Sequence, residues 1–254
     1  MADTRILSAW LAQSPLGRYL YAQENRFFQA ALADRQPENL LLLGSLGRLF
    51  ALPPLSGLTV HQDAQPPADV LAGSLKTPWP DVFFDCVLAA HPSWEADQAA
   101  VFLAEMHRII RPQGCLLLTG FNPYSLWRLD RCRKRVPDVS GCLPLPVLKS
   151  RLAETGWHIE SGRFLNYLPP LRSERALRFW RFMEAAGDRW WPHAAAVYAL
   201  VLSKRVAAPI LPERSPQNVL LPEAAFGLSR QGAPAPAPQS RAEFSGCLAR
   251  GQAA

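Results

Sequence analysis

One stretch, FLAEMHRIIRPQGCLLLTGFNP from Phe102 to Pro123, constrains the fold more than any other. Phe102, Leu103, Met106, Ile109 and Ile110 recur at helical spacing, while Glu105, His107 and Arg108 lie off that stripe. Pro112 and Gly114 read as the end of the helix and the turn that follows it. Cys115 to Thr119 is too short for a helix and apolar on both faces, so it reads as a strand covered on both sides.

The rest of the chain repeats the theme. Leu40–Leu43, Leu58–Val60, Val70–Ala72, Phe83–Ala90, Cys115–Phe121, Trp157–Phe164 and Ala195–Lys204 are strand candidates, the sixth alternating enough to suggest a sheet edge. Pro146 to Thr155 reads as a helix with Leu148 and Leu152 inward and Gly156 at its stop. Strands alternating with helices predict an α/β fold, a Rossmann-like, seven-stranded, mostly parallel sheet with helices on both faces.

Three segments are expected. Residues 1–36 form an N-terminal helical segment: one helix from Thr4 to about Ala12, then a second opened by Ser14 as cap and Pro15 in the first turn, with Leu16, Tyr19, Leu20, Gln23 and Phe27 as its stripe. Residues 37–206 form the α/β domain. Inside it, Ser173 caps a helix to about Ala186, with Leu177, Trp180 or Phe179, and Met183 inward and Gly187 ending it. Residues 207–254, Pro- and Ala-rich with few aromatics, are expected to be mostly disordered.

With 254 residues, 49% of them hydrophobic, the chain can bury one sizeable core. No run of about eighteen apolar residues is present, so no membrane span is expected. The beginning, MADTRILSAW, has early charge and no apolar region, so no secretory signal is expected. Five cysteines (Cys86, Cys115, Cys132, Cys142 and Cys247) make no C-x-x-C, which predicts reduced thiols in a cytoplasmic protein and no metal. A net charge of +6 is no nucleic-acid signature by itself, because much of it sits in one loop, Arg128, Arg131, Arg133, Lys134 and Arg135. That loop reads either as a solvated loop or as a patch that attracts an anionic substrate or an acidic partner.

Leu103, Glu105, Arg108, Pro112 and Gly114 fill the pattern L-x-E-x-x-R-h-L-x-P-G-G, and Pro78, Phe84, Asp85 and His91 precede them in an order like L-P-F-x-x-x-S-F-D-h-h. Together these resemble the class I S-adenosylmethionine-dependent methyltransferases, in the small-molecule group called type 11. The flanks Ser14 to Leu20, Gly120 to Trp127 and Trp190-Trp191-Pro192 resemble a bacterial branch of that group with a degenerate glycine motif, and the resemblance spans about residues 10–205.

The resemblance implies S-adenosyl-L-methionine as cofactor, bound in the crevice where the strand order reverses. A glycine-rich turn after the first strand would meet the methionine and ribose, which falls on Gly44, Ser45 and Gly47. The family pattern is nearer h-D-h-G-x-G-x-G, so here Leu42 stands for the acid, Leu46 for the second glycine and Arg48 for the third. An acid after the second strand falls on Asp63; the adenine side after the third falls on Ser74 and Leu75; His91 falls at the rim after the fourth. The acceptor pocket would draw on Tyr19, Asn122, Tyr124 and Trp127, with Phe121, Trp190 and Trp191 as further candidates, and no catalytic residue is assigned.

The expected function is therefore methyl transfer to a small-molecule acceptor; the alternative is a catalytically silent fold of the same kind that serves as a binding or regulatory partner. Asn122-Pro123 follows the fifth strand, whereas the Asn-Pro-Pro-Tyr motif of amino-methylating enzymes follows the fourth, so no nucleic-acid substrate is expected. Oligomeric state is left open.

Overall fold

A computed structural model describes residues 4–92, 97–130, 136–139 and 141–204. The expected tail, residues 207–254, and the cationic loop residues Arg131, Arg133, Lys134 and Arg135 lie outside them.

Two helices lead, α1 (Thr4–Gln13) and α2 (Pro15–Arg35). Ser14 sits between them in extended conformation and its hydroxyl accepts from Gly17 N at 2.8 Å, with Pro15 in the first turn, so one short break ends one helix and starts the next. The strands are β1 (Asn39–Leu43), β2 (Leu58–Asp63), β3 (Val70–Leu71), β4 (Phe84–Ala90), β5 (Ile110–Phe121), β6 (Trp157–Leu165) and β7 (Val197–Lys204). Between them lie α3 (Gln98–Ile109), α4 (Leu145–Glu154), α5 (Glu174–Trp180) and α6 (Phe182–Trp190). They form one sheet in the order β3-β2-β1-β4-β5-β7-β6, parallel except for β7, with β6 at the edge as its alternation suggests.

Period-two alternation splits the apolar residues of the central strands into two cores. Leu40, Leu42, Cys86, Leu88, Ala90, Cys115, Leu117 and Phe121 face one side, where α1 and α2 bring Leu7, Leu11, Leu16, Leu20, Phe28 and Leu32. Leu41, Leu43, Val87, Ala89, Leu116 and Leu118 face the other, where α3 and α4 bring Phe102, Leu103, Met106, Ile109, Leu148 and Leu152. The N-terminal helices thus complete the fold by covering one face of the sheet.

Pro112 and Gly114 do not turn the chain after the helix. α3 runs directly into β5, which then bulges: the pairing with β4 jumps from Phe84 opposite Ile110 to Cys86 opposite Cys115, and Gln113 takes φ 65°. Gly114 lies where a Cβ would sit 2.8 Å from Asp85 O, which fixes its identity there. Asp85 anchors the same place, its carboxylate accepting from Asn39 N at 2.9 Å and from Arg111 Nη1 at 2.8 Å. Lys204, at the far end of β7, caps the end of α3 by donating to His107 O and Ile110 O at 2.7 and 2.8 Å.

The helix expected over 173–186 is instead two, α5 and α6, broken at Arg181. Leu177 is buried and Met183 packs on the core, but Phe179 and Trp180 face out, and Gly187 lies inside α6. Gly187 is pressed so closely on Tyr167 that a Cβ would lie 2.3 Å from that ring, so it serves close packing and not helix termination.

Glu105 and Arg108 fasten the segment after β3 to α3. Glu105 Oε1 accepts from Thr77 N and Thr77 Oγ1, each at 2.7 Å, and pairs with Arg108 at 2.7 Å; Arg108 also reaches Asp81 at 2.5 Å and Trp79 O at 2.9 Å. These contacts, with the Arg108 guanidinium first, hold the Glu105 carboxyl down at about 2 from an ordinary 4.5, so the pair stabilises the fold above pH 4.5 and that share is lost as pH falls toward 2. Glu105→Gln should lower unfolding stability by about 1–3 kcal/mol at neutral pH. Urea titrations from pH 7 to pH 3 should show the difference between the two proteins shrinking with acid; a constant gap would contradict this role.

Candidate active site

The parallel strands deliver their carboxyl ends to one rim. Between β1 and β4 the sheet changes direction of growth: β2 and β3 lie to one side, β5, β7 and β6 to the other. Chain leaving β1 and chain leaving β4 therefore part, and a crevice opens between them.

Gly44 stands at the mouth of that crevice. Its φ is +77°, which an L side chain adopts only with strain, and nothing lies within 4 Å of where a Cβ would be. The turn around it is well held: Gly44 N donates to Gln62 O at 2.8 Å, Gly47 N to Gly44 O at 3.0 Å, and His61 Nε2 lies 3.0 Å from the same oxygen. Ser45 is half-buried beside it. Gly47 is tight in a different sense, since its Cβ would meet Leu42 Cβ at 3.1 Å.

Of the three departures from the family pattern, Leu42 and Leu46 turn into the core under α2, and the Arg48 guanidinium donates to Pro67 O at 3.4 Å in the segment after β2. Asp63 is the last residue of β2, half-buried, and its carboxylate takes no hydrogen bond or ion pair among the described residues. Gln62, fully buried beside it, donates to Gly73 O at 2.9 Å and accepts from Trp79 Nε1, so the wall after β3 is hung from β2. Ser74 and Leu75 lie half-buried on that wall, Leu75 packing on the α3-side core.

Across the crevice, His91 follows β4 with φ 44°, its N–H donating to Thr119 O at 3.0 Å. Its ring stacks on Phe121 with centroids 4.0 Å apart, and Nε2 lies 2.6 Å from Glu24 Oε1 of α2. Both side chains are almost wholly buried, while Nδ1 of His91 and Oε2 of Glu24 have no hydrogen-bond partner among the described residues. Glu24 was not singled out from the sequence. Its signal was present: it lies four residues from Leu20 and four from Phe28, an acid on a stripe that is otherwise apolar.

The acceptor candidates separate. Tyr19 is half-buried on α2, and its hydroxyl pKa is raised, chiefly by burial and then by the Glu184 carboxylate. Asn122 is fully engaged within the protein: Nδ2 donates to His193 O at 2.7 Å and Ala195 O at 2.9 Å, and Oδ1 accepts from Tyr124 N at 3.0 Å. It clamps the exit of β5 to the chain leading into β7. Trp127 is core, edge-on to Trp10 and donating Nε1 to Leu168 O at 3.0 Å. Tyr124, Trp190 and Trp191 are exposed.

Known proteins agree with this architecture. Residues 56–118 match the family model described as a methyltransferase domain. No curated protein matches the chain. Among solved structures, a geranyl diphosphate methyltransferase in complex with SAM shares 15% identity over 80% of this chain and 92% of its own, with a TM-score of 0.50. A SAM-dependent methyltransferase from Archaeoglobus fulgidus shares 14% over 71% and 94%, with a TM-score of 0.44. The cyclopropane synthase MmaA2 from Mycobacterium tuberculosis shares 16% over 70% and 83%, with a TM-score of 0.45. At 15% identity the likeness to the geranyl diphosphate methyltransferase is one of fold.

The sheet order and the crevice define the class I methyltransferase fold. Residues 56–118, from β2 into β5, are the part of that fold that the methyltransferase-domain family model matches.

The Glu24–His91 contact fastens α2 to the crevice, and a buried hydrogen bond with a charged partner contributes about 1.5–3 kcal/mol. Glu24→Leu should lower unfolding stability by about that amount in urea titrations, whereas Glu174→Ala, at an exposed pair with Arg18, should cost about 0–1 kcal/mol. Equal effects would show that the buried contact carries no special weight.

Proposed function

We propose that this protein transfers the methyl group of S-adenosylmethionine to a small-molecule acceptor in the cytoplasm, with the cofactor seated over Gly44. The observation that carries the reading is the bare, positive-φ turn at Gly44 with open space above it, beside the unengaged carboxylate of Asp63. Gly44, Ser45 and Gly47 would hold the methionine and ribose, Asp63 the ribose hydroxyls, and Ser74 and Leu75 the adenine side. Half-buried Leu75 suits an apolar contact with a flat ring, and Ser74 suits a polar edge.

The cofactor brings an activated methyl, so the chain's work is to hold, align and exclude water, worth on the order of 7–11 kcal/mol of barrier when attack geometry is fixed. His91 adds one chemical capacity. His91 Nε2 lies against Glu24 Oε1, and in the tautomer that donates there Nδ1 is left as an acceptor. His91 Nδ1 would take the proton from an acceptor that must lose one. Asn122 serves as a positioning residue through its clamp on the strand ends.

A specific observation favours the catalytically silent alternative. Leu42 stands where the family pattern has an acid, and it is packed in the core, so no carboxylate is offered from β1.

Calorimetry separates the two. S-adenosylmethionine and S-adenosylhomocysteine should bind in the micromolar range, Gly44→Val should abolish binding, and Asp63→Ala should weaken it about tenfold or more. Absence of heat at millimolar cofactor would support the silent reading, and unchanged affinity in Gly44→Val would refute this placement of the pocket.

A further inference from the structure

β6 runs antiparallel to β7, which runs antiparallel to β5, so Leu165 at the end of β6 and Phe121 at the end of β5 share the rim that carries the crevice. α5 and α6 are inserted there. Their inner contacts are met by Leu177, Met183 and Gly187, and their acids are held by their surroundings: Glu174 by Arg18 at 2.6 Å, Glu184 by Gln23 Nε2 at 3.3 Å and Tyr167 N at 3.2 Å.

The outer surface carries the opposite character. Phe179 is 72% exposed, Phe182 58%, Trp190 68% and Trp191 60%, a density of large rings that globular surfaces rarely present without use. Phe179, Trp180 and Phe182 lean on one another with ring centroids 5.7–6.4 Å apart, so they form one apolar knob. Exposed arginines lie in the same two helices: Arg175 and Arg178 in α5, and Arg189 in α6 with its guanidinium 5.9 Å over the Trp190 ring.

We propose that this surface docks on an anionic lipid bilayer. Trp and Phe settle at the boundary of headgroups and acyl chains, and arginines near them meet anionic headgroups; this segment exposes both on a helix pair whose inner contacts are committed to the fold. The charge complementarity selects a negatively charged membrane over a neutral one. The contact proposed is interfacial, and no helix among the described residues is long and apolar enough to span. Docking would bring the rim to the lipid surface. The lipid contact stands by itself; its consequence, that the methyl acceptor is a lipophilic molecule drawn from the bilayer, rests on the methyl-transfer reading above.

The test is co-sedimentation and tryptophan emission of the full chain with two kinds of vesicle, phosphatidylcholine alone and phosphatidylcholine with about one-third phosphatidylglycerol. The chain should bind the anionic vesicles, with a blue shift of tryptophan emission, and high salt should weaken binding about tenfold or more. Phe179→Ser with Phe182→Ser, and separately Trp190→Ser, should each weaken it about tenfold, and Arg175→Glu with Arg178→Glu should remove the preference for anionic lipid. Circular dichroism and S-adenosylhomocysteine calorimetry on each variant establish that fold and cofactor binding are intact, so loss of lipid binding is read separately from loss of the methyl-transfer reading. No binding to anionic vesicles, or binding that these variants leave unchanged, overturns the proposal. So does sedimentation equilibrium showing a self-associated chain that the same variants dissociate, because the knob would then join two copies.

Discussion

The central strands are apolar on both faces, and most of the architecture follows from that constraint. Leu40 to Leu43, Cys86 to Ala90 and Cys115 to Leu118 leave no side of the sheet fit for water, so each face requires a helical layer. α1 and α2 cover one, α3 and α4 the other. β1, β4 and β5 run parallel, α3 making the crossover from β4 to β5, and parallel strands gather their carboxyl ends at one rim. The crevice between Gly44 and His91 is a consequence of that geometry before any polar residue is placed in it.

The polar side chains then divide by end. At the amino ends of the strands, Asp85, Glu105 and Arg108 are consumed in fastening the chain: Asp85 holds the start of β1 to the bulge in β5, and Glu105 with Arg108 holds the segment after β3 to α3. At the carboxyl ends, where His61, Gln62 and Asn122 are likewise bonded within the fold, the Asp63 carboxylate and His91 Nδ1 take no hydrogen bond among the described residues. The residues that most resemble the family are thus largely framework. Their presence explains why the fold is kept, and the chemistry has to be argued from the other end of the sheet.

Legibility in the sequence followed the same division. β1, β4 and β7 were readable within one or two residues because each is a nearly unbroken apolar run, and Ser14-Pro15 announced its helix start through local capping alone. β2 read short, as Leu58–Val60, because His61, Gln62 and Asp63 look like the polar end of a strand. Two of them are buried and bonded to groups far along the chain, His61 Nε2 to Gly44 O and Gln62 to Gly73 O and Trp79, which no local pattern reveals. Pro112 and Gly114 signalled a turn and delivered a bulge, because the pairing of β4 with β5 overrode the local preference. Trp190 and Trp191 misled differently: aromatic residues near a site look like pocket lining, and only the packing of Leu177, Met183 and Gly187 shows that their side of the insertion faces out.

The loss of the acid on β1 has a physical counterpart on the same face of the sheet. Leu42 points into the core under α2, and a carboxylate there would sit among Leu20, Phe28, Leu46 and their neighbours with its solvation removed. The carboxylate on this face belongs instead to α2 itself, as Glu24, where His91 meets it at 2.6 Å. A buried acid is tolerable only beside such a partner, so Glu24 and His91 are held together as a unit, and α2 is thereby fixed to the edge of the crevice. On the α2 side of the sheet, then, β1 contributes Leu42 to the core, and the buried acid is Glu24 of the covering helix, held by His91 at the end of β4.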